Sequence, residues 1–380
     1  MSTLKVDGIR SNSASSDAIT LASDGTCSAN ITNNLSNRNI IINGAAQVNQ
    51  RGTLTGQTSS VYFVDRFRAA MSGAGTWSLS QSTDSPDGFS SSMKLDCTTA
   101  NTSLAESSFM MIQQKIEGQN VQAFAKGTSA AKQFAVSFYI KSNVSGTYTA
   151  EIQDNDNNRI ASKTFTVSDG NWNRYSLIFP ADTTGAFDND NAQSMDIKIW
   201  LLAGTNYTSG TLNTSSWATK VNANRVSSSN VNLASSTSNE LYITGVQLEV
   251  GSVVTDFEHR SFAEQERLCQ RYFFRQNAEH QYTRYACHGQ CPSANGAQMV
   301  YPLPVRMRAN PTLGYSALSD FYIYASNLQA KTPTSLAMDA QSTISPMFNA
   351  ARSSTFSAGT MAHLTTANTQ QGYLEFIAEL

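Results

Sequence analysis

The chain has 380 residues, a mass of 41.2 kDa and a formal charge of −2, and only 14% of its residues are charged, against roughly 25% in an ordinary soluble domain. Ser, Thr and Asn supply 118 of the 380 positions, and a surface of hydroxyls and amides releases few counterions, so no nucleic-acid partner is expected. The longest apolar runs are too short for a membrane span, and 1–30 is polar throughout, which argues against a secretory leader.

Residues 1–37 carry two short alternating runs, Leu4 to Ile9 and Ala18 to Leu21, closed by the turn dipeptide Asp24-Gly25. Such a hairpin cannot bury a core alone, so it should be ordered against neighbouring chains or a docking partner. From 38 to 260 the chain reads as short strands joined by polar turns. Phe134, Val136, Phe138 and Ile140 alternate with more polar residues, and Tyr148, Ala150 and Ile152 read as the next strand of a hairpin. Further strands are expected at 164–167, 175–179, 195–201 and 241–250, with Gly245 as a bulge where the phase shifts. Many short strands between turns indicate an antiparallel sandwich of jelly-roll type. Residues 205–238, small and polar around Trp217, read as an insertion or long loop.

Ser261 with Glu264 forms a capping box opening a helix over 261–273. Its apolar residues Phe262, Leu268, Tyr272 and Phe273 would pack on their own domain or form an inter-subunit seam. Residues 274–380 return to strands at 298–303, 321–324, 355–356 and 372–380, a smaller C-terminal β-sandwich domain. The expected fold class is therefore all-β. An extended N-terminal segment leads into a jelly roll, a short linker helix and a second β domain.

Five cysteines, an odd number, argue against a disulfide framework. Cys287 and Cys291 have the wrong spacing for a zinc ribbon, and half-buried strand cysteines is the simpler reading. Asp154, Asp156 and Asn158 resemble the start of a calcium loop, but Arg159 stands where glycine is needed and Phe165 where the closing glutamate belongs. Turns are expected there and at Asp188 and Asp190, with an irregular structural calcium as the alternative and no other cofactor. No nucleophile elbow, phosphate loop or His-Glu-x-x-His pair is present, so we expect no enzyme.

Several stretches resemble tail-fibre and adhesin-like virion proteins of short-tailed bacteriophages, of the marine type. They are Ser2 to Val6 with Ile19 to Thr26, Asn39 to Gly44 with Gln50 to Thr53 and Asp65 to Phe67, Leu241 to Gly251 with Thr255 to Phe262, and Pro304 to Thr312 with the terminal Tyr373 to Leu380. The resemblance implies a virion protein, commonly trimeric. Its residues 1–37 would attach to phage tail or other virion proteins, its jelly roll would be carbohydrate-binding-module-like, and its distal domain would touch the host envelope. It supplies no catalytic residues.

Independently of that resemblance, charge is concentrated at Arg66, Asp256, Glu258 and Arg260. Pairing of Arg66 or Arg260 with Asp256 or Glu258 would pin the last strand and the start of the helix. Contact with host cell-surface polysaccharide would fall to solvent-facing aromatics: Trp217 and Tyr207 in the polar insertion, and Tyr282, Tyr285, Tyr322 and Tyr324 in the last domain, unless those tyrosines form a trimer core. Trp172 reads as a packing residue. Long sheet edges would be shielded in a homotrimer. The rival readings are a capsid or tail decoration protein and a polysaccharide-depolymerising spike.

Overall fold

A computed structural model describes residues 6–23, 27–29, 37–325, 329–352 and 356–380. Every named strand pairs antiparallel with its neighbours, and the fold is all-β with short helices, as the alternation predicts. No helix among the described residues is long and apolar enough to cross a membrane.

The larger unit is a jelly-roll sandwich of two sheets. One runs in the order Asn173–Phe179, Phe134–Ser142, Glu240–Val250, Ser92–Thr99, Thr76–Ser82, Leu54–Gln57. The other runs Ala218–Thr219, Arg159–Val167, Gly146–Asp154, Gln193–Ala203, Phe109–Glu117, Arg68–Ser72, Val61–Tyr62. Side chains alternate in and out along each strand, so Phe134, Val136, Phe138 and Ile140 meet Tyr148, Ile152, Ile197 and Ile199 in one buried core.

That opposition overturns the predicted hairpin. Phe134–Ser142 and Gly146–Asp154 belong to different sheets, and residues 143–145 carry the chain across the sandwich. Two strands that each present a large apolar face gain more by stacking face to face than by lying edge to edge with both faces pointing the same way. The crossing is fixed by the buried Tyr148, whose hydroxyl donates to the Val144 carbonyl at 2.9 Å. The Gly245 bulge is present. Gly245 sits at φ +63, and the register against Phe134–Ser142 slips there by one residue.

Residues 205–238 are folded, not a free loop. They contain a single helical turn (Thr205–Thr208), a two-residue strand and two 3-10 turns; Tyr207 and Val226 pack on the outer face of the seven-stranded sheet, while Trp217 and Leu233 join the core of the sandwich. The helix spans Phe262–Gln270, shorter than 261–273. Ser261 Oγ accepts from the Glu264 N–H at 3.3 Å, and Phe273 already begins the strand Phe273–Asn277.

The C-terminal unit has a three-stranded sheet (Phe273–Asn277, Tyr373–Ile377, Thr312–Tyr315) and a seven-stranded one, ordered Gln329–Lys331, Phe321–Ala325, Met361–Thr366, Arg284–Ser293, Gly296–Val300, Met347–Ala351, Ser335–Ala340. They share one core containing Tyr301, Phe321, Phe348, Leu364 and Phe376. The strand expected at 355–356 is not formed at Phe356, and Thr355 lies outside the described residues. At the start of the chain, Gly8–Ile9, Ile19–Leu21 and Cys27–Ala29 form a small separate sheet. The Asp24-Gly25 turn and the Leu4 end of the first run lie outside the described residues, as does much of the 1–37 attachment segment.

Candidate binding surface

The structure separates the sequence-predicted residues into those that face solvent and those that hold the fold. Trp217 belongs to the second group. It is 6% exposed, its indole N–H donates to the Pro180 carbonyl at 2.8 Å, and its ring tilts against Phe134 at 5.4 Å. A large apolar ring set among small polar residues helps anchor that stretch to the core, together with Leu233. Tyr207 is half-buried, packed on Trp200 at 5.4 Å and Phe109 at 5.8 Å. Trp172 packs edge-on against Tyr242 and donates to Asp84 Oδ1 at 2.9 Å.

The ion pairs match those expected in part. Arg66 meets neither Asp256 nor Glu258. It is buried at φ +71, pairs with Glu379, and lies 3.5 Å from the Tyr272 ring centre. Glu379 also takes Arg51 at 2.9 Å, and Arg51 holds Asp65 at 2.6 Å. The left-handed backbone turns Arg66 toward the returning C-terminus, which sequence proximity could not foretell. Arg260 does pair with Glu258, at 3.4 Å, and donates to the Asn39 carbonyl. Asp256 is fully exposed and meets Arg174 at 3.6 Å.

The proposed seam is largely internal. Tyr272 and Phe273 are 1% and 2% exposed, Phe273 lying under Arg51 at 3.6 Å. Leu268 packs at the edge of a cluster of Ile42, Val48, Cys269 and Tyr272, and Phe262 alone of the four faces solvent. The helix therefore seats its stripe on its own chain. Around Asp154 the oxygen cage expected of a calcium site holds an ammonium. Lys126 Nζ lies 2.5 Å from Asp154 and 3.0 Å from Asp182, and donates to the Thr184 and Gly185 carbonyls. Asp156 accepts from the Asp188 N–H and Asp190 from the Ala192 N–H, both at 2.9 Å, as turn residues do. Among the described residues no group of three or more His, Cys, Asp or Glu side chains could hold a metal ion.

What remains open is the outer face of the C-terminal seven-stranded sheet. Along Phe321–Ala325 the odd residues enter the core, leaving Tyr322 and Tyr324 on the outer side. Cross-strand register then extends two rows: Tyr324, His363, His288 and Val300, and beside it Tyr322, Thr365 and Arg284. Tyr324 stacks on His363 at 5.3 Å, 5° from parallel. Burial, and after it the Arg284 charge, push the His363 imidazole below its ordinary value, so it is neutral near pH 7. Arg284, His288 and Gln290 are exposed, Val300 and Met361 more so than apolar residues usually are, and Tyr282 lies at the border, 49% exposed. Tyr285 has the opposite parity. It is 4% exposed in the core, not on the surface. Rings that offer a π face, beside guanidinium, imidazole and amide donors, match the apolar face and hydroxyls of a sugar ring.

Sequence reasoning missed Arg284, His288, Gln290 and His363. The signal for the first three was available, because Tyr285, Cys287 and Cys291 alternate with them as the inner side of the strand Arg284–Ser293. Cys287 and Cys291 are buried core residues.

No protein-family model and no curated protein matches the chain. Among solved structures, it is similar to the enzymatically active domain of tailspike protein 4 of bacteriophage CBA120, with TM-score 0.30, 16% identity and 56% of this chain matched. The match spans only 21% of that tailspike chain. It is also similar to the CBM22-1 xylan-binding domain of Paenibacillus barcinonensis Xyn10C (TM-score 0.29, 6% identity, 60% of this chain and 100% of that one). A family 11 carbohydrate-binding module from Clostridium thermocellum follows (0.27, 12%, 51% and 91%). At these scores the fold assignment rests on the strand pairings described above.

Proposed function

We propose that this chain is a non-enzymatic adhesin on the exterior of a phage particle, holding the virion through residues 1–37 and contacting host-surface polysaccharide through its C-terminal β domain. The observation that carries this reading is the outer sheet face, where the half-buried Tyr322 and Tyr324 stand beside the exposed Arg284, His288 and Gln290. The motif resemblance to tail-fibre proteins supplies the virion context. Contacts of this kind are individually weak, and several identical tips on one particle would raise their effective concentration against a repeating glycan.

The test is adsorption of labelled full-length protein to host cells, comparing the native chain with a Tyr322→Ala, Tyr324→Ala double variant. Loss of two stacking rings should weaken binding about tenfold or more, with thermal stability little changed because both rings are outside the core. Adsorption equal to the native chain would remove this face from the reading. Release of reducing ends from the polysaccharide would favour the depolymerase alternative.

A further inference from the structure

A second site lies where the two β units meet. Ser261, the helix Phe262–Gln270, Val305 and Arg306 line an open cavity of about 470 Å³, within the range that takes a small ligand. Ala263, Leu268 and Val305 give it an apolar wall, and Arg267, Arg271 and Arg306 project around it. Arg271 is committed, since its guanidinium grips Glu117 at 2.9 and 2.8 Å and so braces the wall. Arg267 and Arg306 are different. Both are exposed, neither pairs with a carboxylate among the described residues, and Arg306 spends one N–H on Thr343 Oγ1 at 3.0 Å. The one carboxylate in the lining, Glu264, leans toward Arg260 at 3.9 Å. In a chain that uses charge so sparingly, two uncompensated guanidiniums over one apolar-walled cavity are a marked concentration of positive potential.

We propose that this cavity binds an acidic sugar residue. Its oxyanion would be taken by the Arg267 and Arg306 forks, and its ring would lie against Leu268 and Val305. A guanidinium fork matches a carboxylate or an ester oxyanion with two parallel hydrogen bonds, which a neutral hydroxyl cannot accept as well. Uronates, sugar phosphates and sugar sulfates share this chemistry. The proposal deepens the reading of the chain as a glycan-binding adhesin and rests on it for the source of the ligand. The recognition itself depends only on the cavity.

The experiment is calorimetric titration of the full-length protein with glucuronate, glucose 6-phosphate, glucose 6-sulfate, neutral glucose and inorganic sulfate. Binding of at least one acidic sugar, at least tenfold tighter than glucose and than inorganic sulfate, is expected, and the tightest arm names the oxyanion. The Arg267→Gln, Arg306→Gln double variant should lose that preference by tenfold or more while keeping its melting temperature, since both side chains are exposed. Affinity should also fall as salt rises. Tyr322→Ala, Tyr324→Ala must leave this binding intact, so failure of the cavity and failure of the sheet face are separable. Equal affinity for acidic and neutral sugars, an unaffected arginine variant, inorganic sulfate binding as well as the sugars, or no binding in any arm would overturn the proposal.

Discussion

The residues that first stand out in the sequence are mostly devices for satisfying buried polar groups. Asn39 and Asn43 are 3% and 1% exposed; Asn39 Oδ1 accepts from the Ile41 and Leu248 N–H groups, and Asn43 Oδ1 from that of Val48. A Cβ on Gly44 would come within 2.1 Å of the Val246 carbonyl oxygen, so only glycine there lets the strip 39–44 lie this close to the strand Glu240–Val250. Lys126 illustrates the same economy, with one ammonium serving two carboxylates and two carbonyls while Arg159 takes the charge left on Asp182. On the outer face of the seven-stranded sheet, Glu151 meets Lys198 at 3.0 Å and Arg225 at 2.8 Å. Burial alone would raise its carboxyl, but these cations outweigh it and hold the group down from 4.5 to about 2. Because the folded value lies below the unfolded one, the stabilisation is complete above about pH 4.5 and is lost as pH falls toward 2. The loss is on the order of 3 kcal/mol. Urea titrations from pH 7 to 2 should show this acid limb, and Glu151→Gln, weaker at pH 7, should show a shallower one. Equal slopes would mean the network does not carry it.

At the scale of elements, strand positions were legible because a side-chain period of two leaves a direct trace in the sequence, whereas pairing leaves none. The strands at 134–142, 146–154, 193–203 and 240–250 were readable from alternation, yet their sheet membership depended on which faces stacked. The polar insertion misled for a related reason. Its composition is that of a loop, but Trp217, Val226 and Leu233 are buried and tie it down. Partners distant in sequence were equally hidden, Arg66 and Glu379 being 313 residues apart. The feature best read was Gly245, and its demands are now concrete. With φ at +63, an added Cβ would meet Tyr139 and Phe89 within 3 Å, in a cluster where Phe89 also packs on Phe257 at 5.0 Å and His259 at 5.2 Å. Gly245→Val should therefore cost about 2 kcal/mol or more, from left-handed strain and displaced rings together. Chemical denaturation would measure it, and a loss within about 0.5 kcal/mol would show the bulge to be adaptable.

For the whole molecule, the C-terminus matters as much as the linker helix. Glu379 enters the first unit between Arg51 and Arg66, while Leu380 accepts from the Tyr62 hydroxyl at 2.7 Å and Lys115 at 2.8 Å. Deleting the second unit would strand a buried Arg66, which is why point substitutions on its outer face are better probes of adhesion than truncation. Long bare sheet edges do not drive association here. Three of the jelly roll's four edge strands, Leu54–Gln57, Val61–Tyr62 and Ala218–Thr219, are two to four residues long, and such short edges template little pairing. The better candidate is the small sheet at the start of the chain, where Ile9 is 52% exposed, Leu21 38% and nearby Val6 39%, none of them over a core of their own. If this segment trimerises to cover those side chains, light scattering should give three times 41.2 kDa for the full chain. A version beginning at residue 38 should then give a folded single chain with the same melting temperature. A full chain that runs as one copy would remove the trimer, and a trimer that survives the deletion would place the seam elsewhere.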